Sequence, residues 1–300
     1  MNKKILVIVS GKLEKIKEFK EVGEDLGLDV TLASFSDVNY SSFENSGVIF
    51  IDSRSAASYN VIYFRMVGKR IEDASLLALY CKKNRVRVVD RVYTSELLFP
   101  SSIAKSIENK KLIEAGIAIP KTIYGSVSLI FRKAKKEFGY PFVVKSTSGR
   151  KARDAWFIDS LEKEKELVKV LADKEKSGMR FFGQEFIKAG QRERVLVIGD
   201  KAVAAITRPT KWRKKYESRE VKQNPEGVKS QIRPIPSEYV SLSLSATKAV
   251  DLEIAGVDIL RQDNTDRLYV LEVNAAPSWK LIEKDCNINV EEKILEYLAK

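Results

Sequence analysis

The chain has 300 residues, 44% apolar and 31% charged, a balance that describes a globular chain with a real core and excludes a disordered one. Lys and Arg outnumber Asp and Glu by 53 to 41, so the formal net charge of +12 suits an anionic partner: a phosphorylated ligand, an acidic protein or nucleic acid. There is no histidine, which excludes hydrolases with a histidine base and His-ligated zinc and leaves Lys, Arg and carboxylate-held metal to carry any chemistry.

The opening MNKKILVIVS reads as a strand and lacks the pattern of a cleaved leader. No apolar run approaches the ~20 residues that span a bilayer. Two cysteines, Cys81 and Cys286, make neither a disulfide framework nor a metal spacing. The expectation is a cytoplasmic chain. Lys4 to Ser10 predicts a buried strand, and Leu13 to Leu26 a helix stopped by Gly27. Strands follow at 29–35, 48–51 and 61–65, then a helix at 71–84 and a strand at 86–90. This alternation predicts a small parallel-sheet domain over residues 1–100, closed by the turn-rich Phe99-Pro-Ser-Ser102.

Beyond it, 104–115 reads as a helix ended by Gly116. Strands at 121–124 and 141–145 flank a helix at 127–138, and 161–174 is a charged helix. Strands at 181–187, 194–198 and 202–207 lead into a basic segment from Arg208 to Lys229. A helix at 237–252 precedes strands at 254–260 and 268–273, and 290–298 is a closing helix.

The two late strands are joined by a short Asp- and Asn-rich turn, which predicts an antiparallel hairpin. Centred on Thr265, it sets Asp258 opposite Glu272. Glu272 and Asn274, two apart in LYVLEVN, share that face. Two carboxylates and an amide oxygen make a hard-oxygen site suited to Mg²⁺ with substrate phosphates. The plainer reading is a strand rim facing water. Phe142-Val-Val-Lys145 ends a strand in a lysine before a Ser/Gly loop, a place where phosphates can be neutralised, although a surface lysine at a strand end is equally ordinary.

Taken in order, GIAIPKT after a lysine-bearing helix, PFVVK, QEFI, the arginine before VLVIGDKAVAAITR, AGVDIL and LEVNAAPSW resemble the RimK-like branch of the ATP-grasp carboxylate–amine ligases over about 104–282. The resemblance implies an α/β (α+β) fold: a Rossmann-like domain over 1–100, a small lobe over 101–180, and a C-terminal lobe over 181–300. It implies ATP and two Mg²⁺ ions, replaceable by Mn²⁺. Lys105 and Lys145 would contact the phosphates, Glu185 and Phe186 the adenine, and Glu193 or Arg192 the ribose. Asp258, Glu272 and Asn274 would hold the metal, with Arg194 and Arg208 at the reacting groups and Lys222 with Asn224 near the phosphates.

The chemistry implied is attack of a carboxylate on the γ-phosphorus, then of an amine on the acyl phosphate. The implied partners are a small amino acid such as glutamate and a carboxylate-bearing acceptor such as an acidic peptide or protein. Neither a membrane nor, in the favoured reading, nucleic acid is among them, and a homo-oligomer is left open. Three features depart from the family: the glycine-poor loop Gly149 to Asp154, Arg192 where an Asp is usual, and Asn224-Pro-Glu-Gly227 in place of an Asn with a glycine pair. With the basic, aromatic Thr210 to Tyr216, they motivate an alternative: an ATP-binding regulatory or nucleic-acid-associated protein with weak or no ligase activity. Arg65 and Trp279 are expected at the substrate cleft or, more plainly, at the surface and in the core.

Overall fold

The computed structural model describes residues 3–39, 48–68, 70–94, 105–147, 154–177, 179–209 and 230–300. The turn at 99–102, Lys222, Asn224 and the basic segment 210–216 lie outside them.

The first sheet is built from β1 (Lys4–Val9), β2 (Asp29–Ser34), β6 (Val61–Met66) and β7 (Arg87–Val89), in the order β2-β1-β6-β7, all parallel. Ile5 to Val9 are all buried, as a strand covered on both faces requires. α1 (Glu18–Asp25) and α2 (Ile71–Lys83) flank the sheet, and three two-residue strands, β3 (Val38–Asn39), β4 (Phe50–Ile51) and β5 (Arg54–Ser55), form an antiparallel patch beside it. The helix expected over 13–26 is broken. A 3₁₀ turn at Leu13–Lys15 ends at Ile16, whose φ of −130° leaves the helical region, and α1 starts only at Glu18.

α3 (Lys105–Glu114) leads to a second, antiparallel sheet of β8 (Thr122–Gly125), β9 (Phe142–Ser146), β10 (Ala155–Ile158) and β11 (Phe181–Glu185), ordered β10-β9-β11-β8. α4 (Val127–Glu137) and α5 (Leu161–Lys176) cover it. Val127, Ile130, Phe131 and Ala134 recur at helical spacing and are buried against the sheet. Gly183 permits the close approach of α4, because a Cβ there would stand 2.7 Å from Ile130 Cγ2. β11 belongs to this small sheet, which therefore runs to Glu185, past the boundary expected at 180.

The third sheet is antiparallel: β12 (Gln191–Ile198), β13 (Lys201–Pro209), β14 (Ile254–Arg261) and β15 (Leu268–Asn274), ordered β13-β12-β14-β15. α6 (Ser237–Ala249) packs on one face, with Val195, Val197 and Val257 in its core. α7 (Lys280–Cys286) and α8 (Val290–Leu298) share a second core with Leu196 and Ile198 from the other face. Both cores also contain side chains of the first sheet, Leu6 and Phe64 in one and Ile5 and Val7 in the other. The first and third sheets are thus fused by continuous apolar packing, whereas the small sheet keeps a core of its own drawn from residues 123–181. Among the described residues no helix is long and apolar enough to cross a membrane.

Candidate active site

A cleft of about 590 Å³ separates the small sheet from the third sheet, with α3 at its junction. The register across β14 and β15 puts Asp258 opposite Glu272 and Gly256 opposite Asn274. These pairs have the spacing that the hairpin arithmetic predicts. Toward the turn the register shifts, Ile259 facing Val270, so Leu271 is an extra residue on β15. Such a bulge re-aims side chains, and here Leu271 and Glu272 both line the cleft although they are consecutive.

The buried carboxylates are met by cations. Asp258 has no exposed surface. Its two oxygens accept from Arg194 Nε at 2.6 Å and Nη2 at 2.7 Å, and Arg192 Nη1 adds a bond at 3.0 Å. Arg194 is the cross-strand neighbour of Asp258, so the fork lies naturally over the carboxylate. Glu272 Oε1 is 3.0 Å from Lys105 Nζ. Burial pushes the Glu272 carboxyl up, but Lys105, then Lys145 and Arg194, outweigh it and hold it below its ordinary value. Burial in turn pulls the Lys105 ammonium down, and Glu108 and Glu272 together more than reverse that. Both groups are charged at neutral pH.

Lys145 Nζ donates to Gln184 Oε1 at 2.6 Å, and Gln184 Nε2 donates to Thr122 Oγ1 at 3.0 Å, so a cross-strand amide aims the lysine. Lys145, Glu185 and Phe186 all line the cleft. The Glu185 carboxylate accepts from the Lys121 N–H at 2.8 Å, and the Phe186 ring meets Phe157 edge-on at 5.1 Å between centroids. Asn274 lines the cleft with its Nδ2 3.4 Å from the Gly256 carbonyl.

Two expected residues are elsewhere. Glu193 is on β12 between Arg192 and Arg194, so strand alternation turns it to the α6 face. There it is buried, with Oε2 unpartnered, and burial raises its pKa against the pull of Arg261. Arg192, not Glu193, reaches the cleft. Arg208 stands opposite Arg192 in the β12–β13 register, but its guanidinium is held by Asp285 of α7, which also accepts from Ser230. Arg208 is not part of the cleft wall. Lys222 lies outside the described residues, and of the loop Gly149 to Asp154 only Asp154 is described, lining the cleft. Arg65 stacks 3.8 Å over the Trp279 ring and donates to the Pro277 carbonyl at 2.9 Å, bracing the Pro277–Ser278 wall. Trp279 itself is core, donating to Glu291.

Sequence reading missed Glu108 and Asn109. Both are buried polar residues on α3, and Asn109 lines the cleft with its Nδ2 unpartnered. Their spacing of three and four from Lys105 was the available signal.

Among the described residues no cluster of three or more His, Cys, Asp or Glu is arranged for metal. The set present, two facing carboxylates and an amide, fits a hard divalent cation that fills its remaining positions with phosphate and water. The four surrounding cations, Lys105, Lys145, Arg192 and Arg194, fit the phosphates themselves.

Residues 104–298 match the RimK-like ATP-grasp domain. A probable alpha-L-glutamate ligase of Haemophilus influenzae is 28% identical over 196 residues, covering 62% of this chain and 59% of that protein. One from Legionella pneumophila is 33% identical over 164 residues, covering 54% and 51%. The chain thus matches less than two thirds of the length of these relatives. In fold it is similar to the ATP-grasp ligase PsnB complexed with a minimal precursor, at a TM-score of 0.73, 20% identity and coverage of 99% and 98%. It is likewise similar to the macrocyclase MdnB from Microcystis aeruginosa, at 0.68, 14% identity and 99% coverage of both chains. The matched region spans the cleft, α3 and the third sheet, and the chain belongs to the RimK-like ATP-grasp family.

Proposed function

We propose that the chain is an ATP-dependent carboxylate–amine ligase that forms an amide bond through an acyl phosphate. The observation that carries this reading is the facing pair Asp258 and Glu272 beside Asn274, ringed by Lys105, Lys145 and Arg194. Lys105 and Lys145 bind the ATP phosphates. The backbone at Glu185 and Phe186 faces the adenine, with Phe157, Leu260 and Leu271 as apolar walls. Arg192 takes the place on the ribose side that Glu193 leaves. Asp258, Glu272 and Asn274 hold Mg²⁺, or Mn²⁺ in its place, which when bound neutralises the transferring phosphoryl group.

The substrate carboxylate attacks the γ-phosphorus and ADP leaves. An amine nitrogen then attacks the acyl carbon, loses its proton and expels phosphate. These steps depend on alignment and charge neutralisation, which a site of Lys and Arg supplies without histidine. Arg194 stabilises the oxyanion that develops at the acyl carbon. The relatives named as probable glutamate ligases and the similar fold of PsnB complexed with a precursor peptide support an amino acid as one substrate and a peptide, protein tail or carrier as the other. Replacing Glu272 by Gln tests the assignment: ADP formation should vanish while nucleotide binding survives, and continued turnover would contradict it.

A second reading is favoured by one observation, the engagement of both Asp258 oxygens by two guanidiniums. If those arginines never release Asp258, the chain binds nucleotide as a regulatory or nucleic-acid-associated protein without turnover. That reading predicts nucleotide binding that Asp258→Asn leaves unchanged at any Mg²⁺ concentration.

A further inference from the structure

Glu108 has no part in the roles assigned so far, yet it is 1% exposed and joins α3 to β15. Its Oε2 accepts from Lys105 Nζ at 2.9 Å, one helical turn back on α3. Its Oε1 accepts from the Val273 N–H at 2.9 Å. Val273 sits between Glu272 and Asn274 on β15, the edge strand of its sheet, and Glu108 thereby caps an outward N–H of that edge. The Lys105 N–H itself donates to the Thr147 carbonyl at 3.1 Å, just past β9 of the small sheet. The first turn of α3 is therefore pinned to both walls of the cleft. Lys105 is suspended between Glu108 at 2.9 Å and Glu272 at 3.0 Å.

We infer that Glu108 is the positioning residue of the nucleotide site: it aims the Lys105 ammonium into the cleft and stays its counter-ion when Glu272 turns to a metal. The inference rests on the reading that Lys105 meets the phosphates there. With Glu272 as its only partner, Lys105 would lose its anchor whenever a divalent cation claimed that carboxylate. A second carboxylate, buried on α3, removes the conflict. It also holds a flexible four-carbon side chain in one orientation before the nucleotide arrives. Glu108 fixes the β15 backbone beside Glu272 with its second oxygen, so one side chain sets the spacing between the lysine and the strand that carries Glu272 and Asn274.

The test is a double-mutant cycle on binding of a non-hydrolysable ATP analogue with Mg²⁺, read by calorimetry with thermal melting alongside. Gln at 108 keeps an oxygen for the Val273 N–H but presents an amide instead of a charge to Lys105. Glu108→Gln should weaken binding roughly ten-fold, and the loss should disappear in a Lys105→Met background, because residues acting through one another are not additive. Glu108→Asp, which keeps the charge, should bind more tightly than Glu108→Gln and serves if the latter does not fold. Equal losses with and without Lys105, no loss at all, or an Asp variant as weak as the Gln variant would each overturn the inference. A wild-type chain that binds no Mg-nucleotide would instead overturn the reading of the cleft on which the inference stands.

Discussion

Asp258 shows how tightly the centre is balanced. A fully buried carboxylate is tolerated because Arg194 forks onto it and Arg192 joins. Removing one partner of such a pair leaves an uncompensated charge, at a cost of about 3–5 kcal/mol in a fully buried pair. Arg194→Met should lower stability toward that range, less what Arg192 retains, and Arg194→Met with Asp258→Asn should recover part of it in denaturant titrations. Asp90 poses the opposite problem. Its Oδ1 accepts from the Glu253 and Ile254 N–H groups, but Oδ2 is unpartnered, and burial pushes its pKa from 3.8 up to about 7. The folded state therefore binds the proton more tightly than the unfolded state. The stability this confers is complete below about 4 and lost as pH rises through about 7. Asp90→Asn keeps an acceptor for both N–H groups and abolishes the titration. Across that window the wild-type melting temperature should fall relative to that of the variant; parallel curves would refute the assignment. Two of the expected site residues point away from the cleft, each for a definite reason. Of the two residues expected near the ribose, Arg192 lines the cleft and Glu193 does not, because strand alternation turns Glu193 away from the face that Arg192 and Arg194 share toward Asp258. Arg208 was lost to Asp285, a partner 77 residues away on another element that no local pattern announces.

At the scale of elements, β14 and β15 were legible because alternation and a short polar turn specify an antiparallel register that pairs Asp258 with Glu272. The bulge at Leu271 was not legible: no proline or glycine marks it, and the flanking N–H groups of Val270 and Val273 go to Ala118 and Glu108, partners distant in sequence. β10 and α7 also escaped, being short, and β10 follows a polar stretch that reads as loop. Gly256, opposite Asn274 across the β14–β15 pair, is where the cleft wall approaches the third sheet. A Cβ there would stand 2.8 Å from Pro277 Cβ and 3.7 Å from Arg194 Cδ. Gly256→Ala must displace the Pro277–Ser278 wall, a strain of about 1–3 kcal/mol for overpacking. The variant should lose nucleotide affinity along with that stability. A change in melting temperature without a change in affinity would mean that the wall and the site are not coupled.

For the whole molecule, apolar packing separates two bodies. First-sheet residues such as Leu6 and Phe64 share a core with Val195 and Val257 of the third sheet, while the small sheet's core draws on residues 123–181. Alternation marked the parallel first sheet and the β14–β15 hairpin, but not that the first and third sheets are fused, because core sharing between distant segments has no local signature. Native-state hydrogen exchange should show the strands of the first and third sheets opening together and β8 to β11 opening separately, at lower free energy. Uniform protection would contradict this division. The cleft lies between those two bodies, with Lys145 on the small sheet and the Asp258–Glu272 pair on the third. The most direct measurement is ADP release from Mg-ATP with each of the twenty amino acids supplied singly, with and without a small-molecule extract, followed by mass spectrometry of any hit. Amine-dependent ADP release with the mass gain of an added amino acid, absent in Glu272→Gln, is the predicted result. Amine-dependent ADP release that Glu272→Gln leaves untouched would contradict this account of the site.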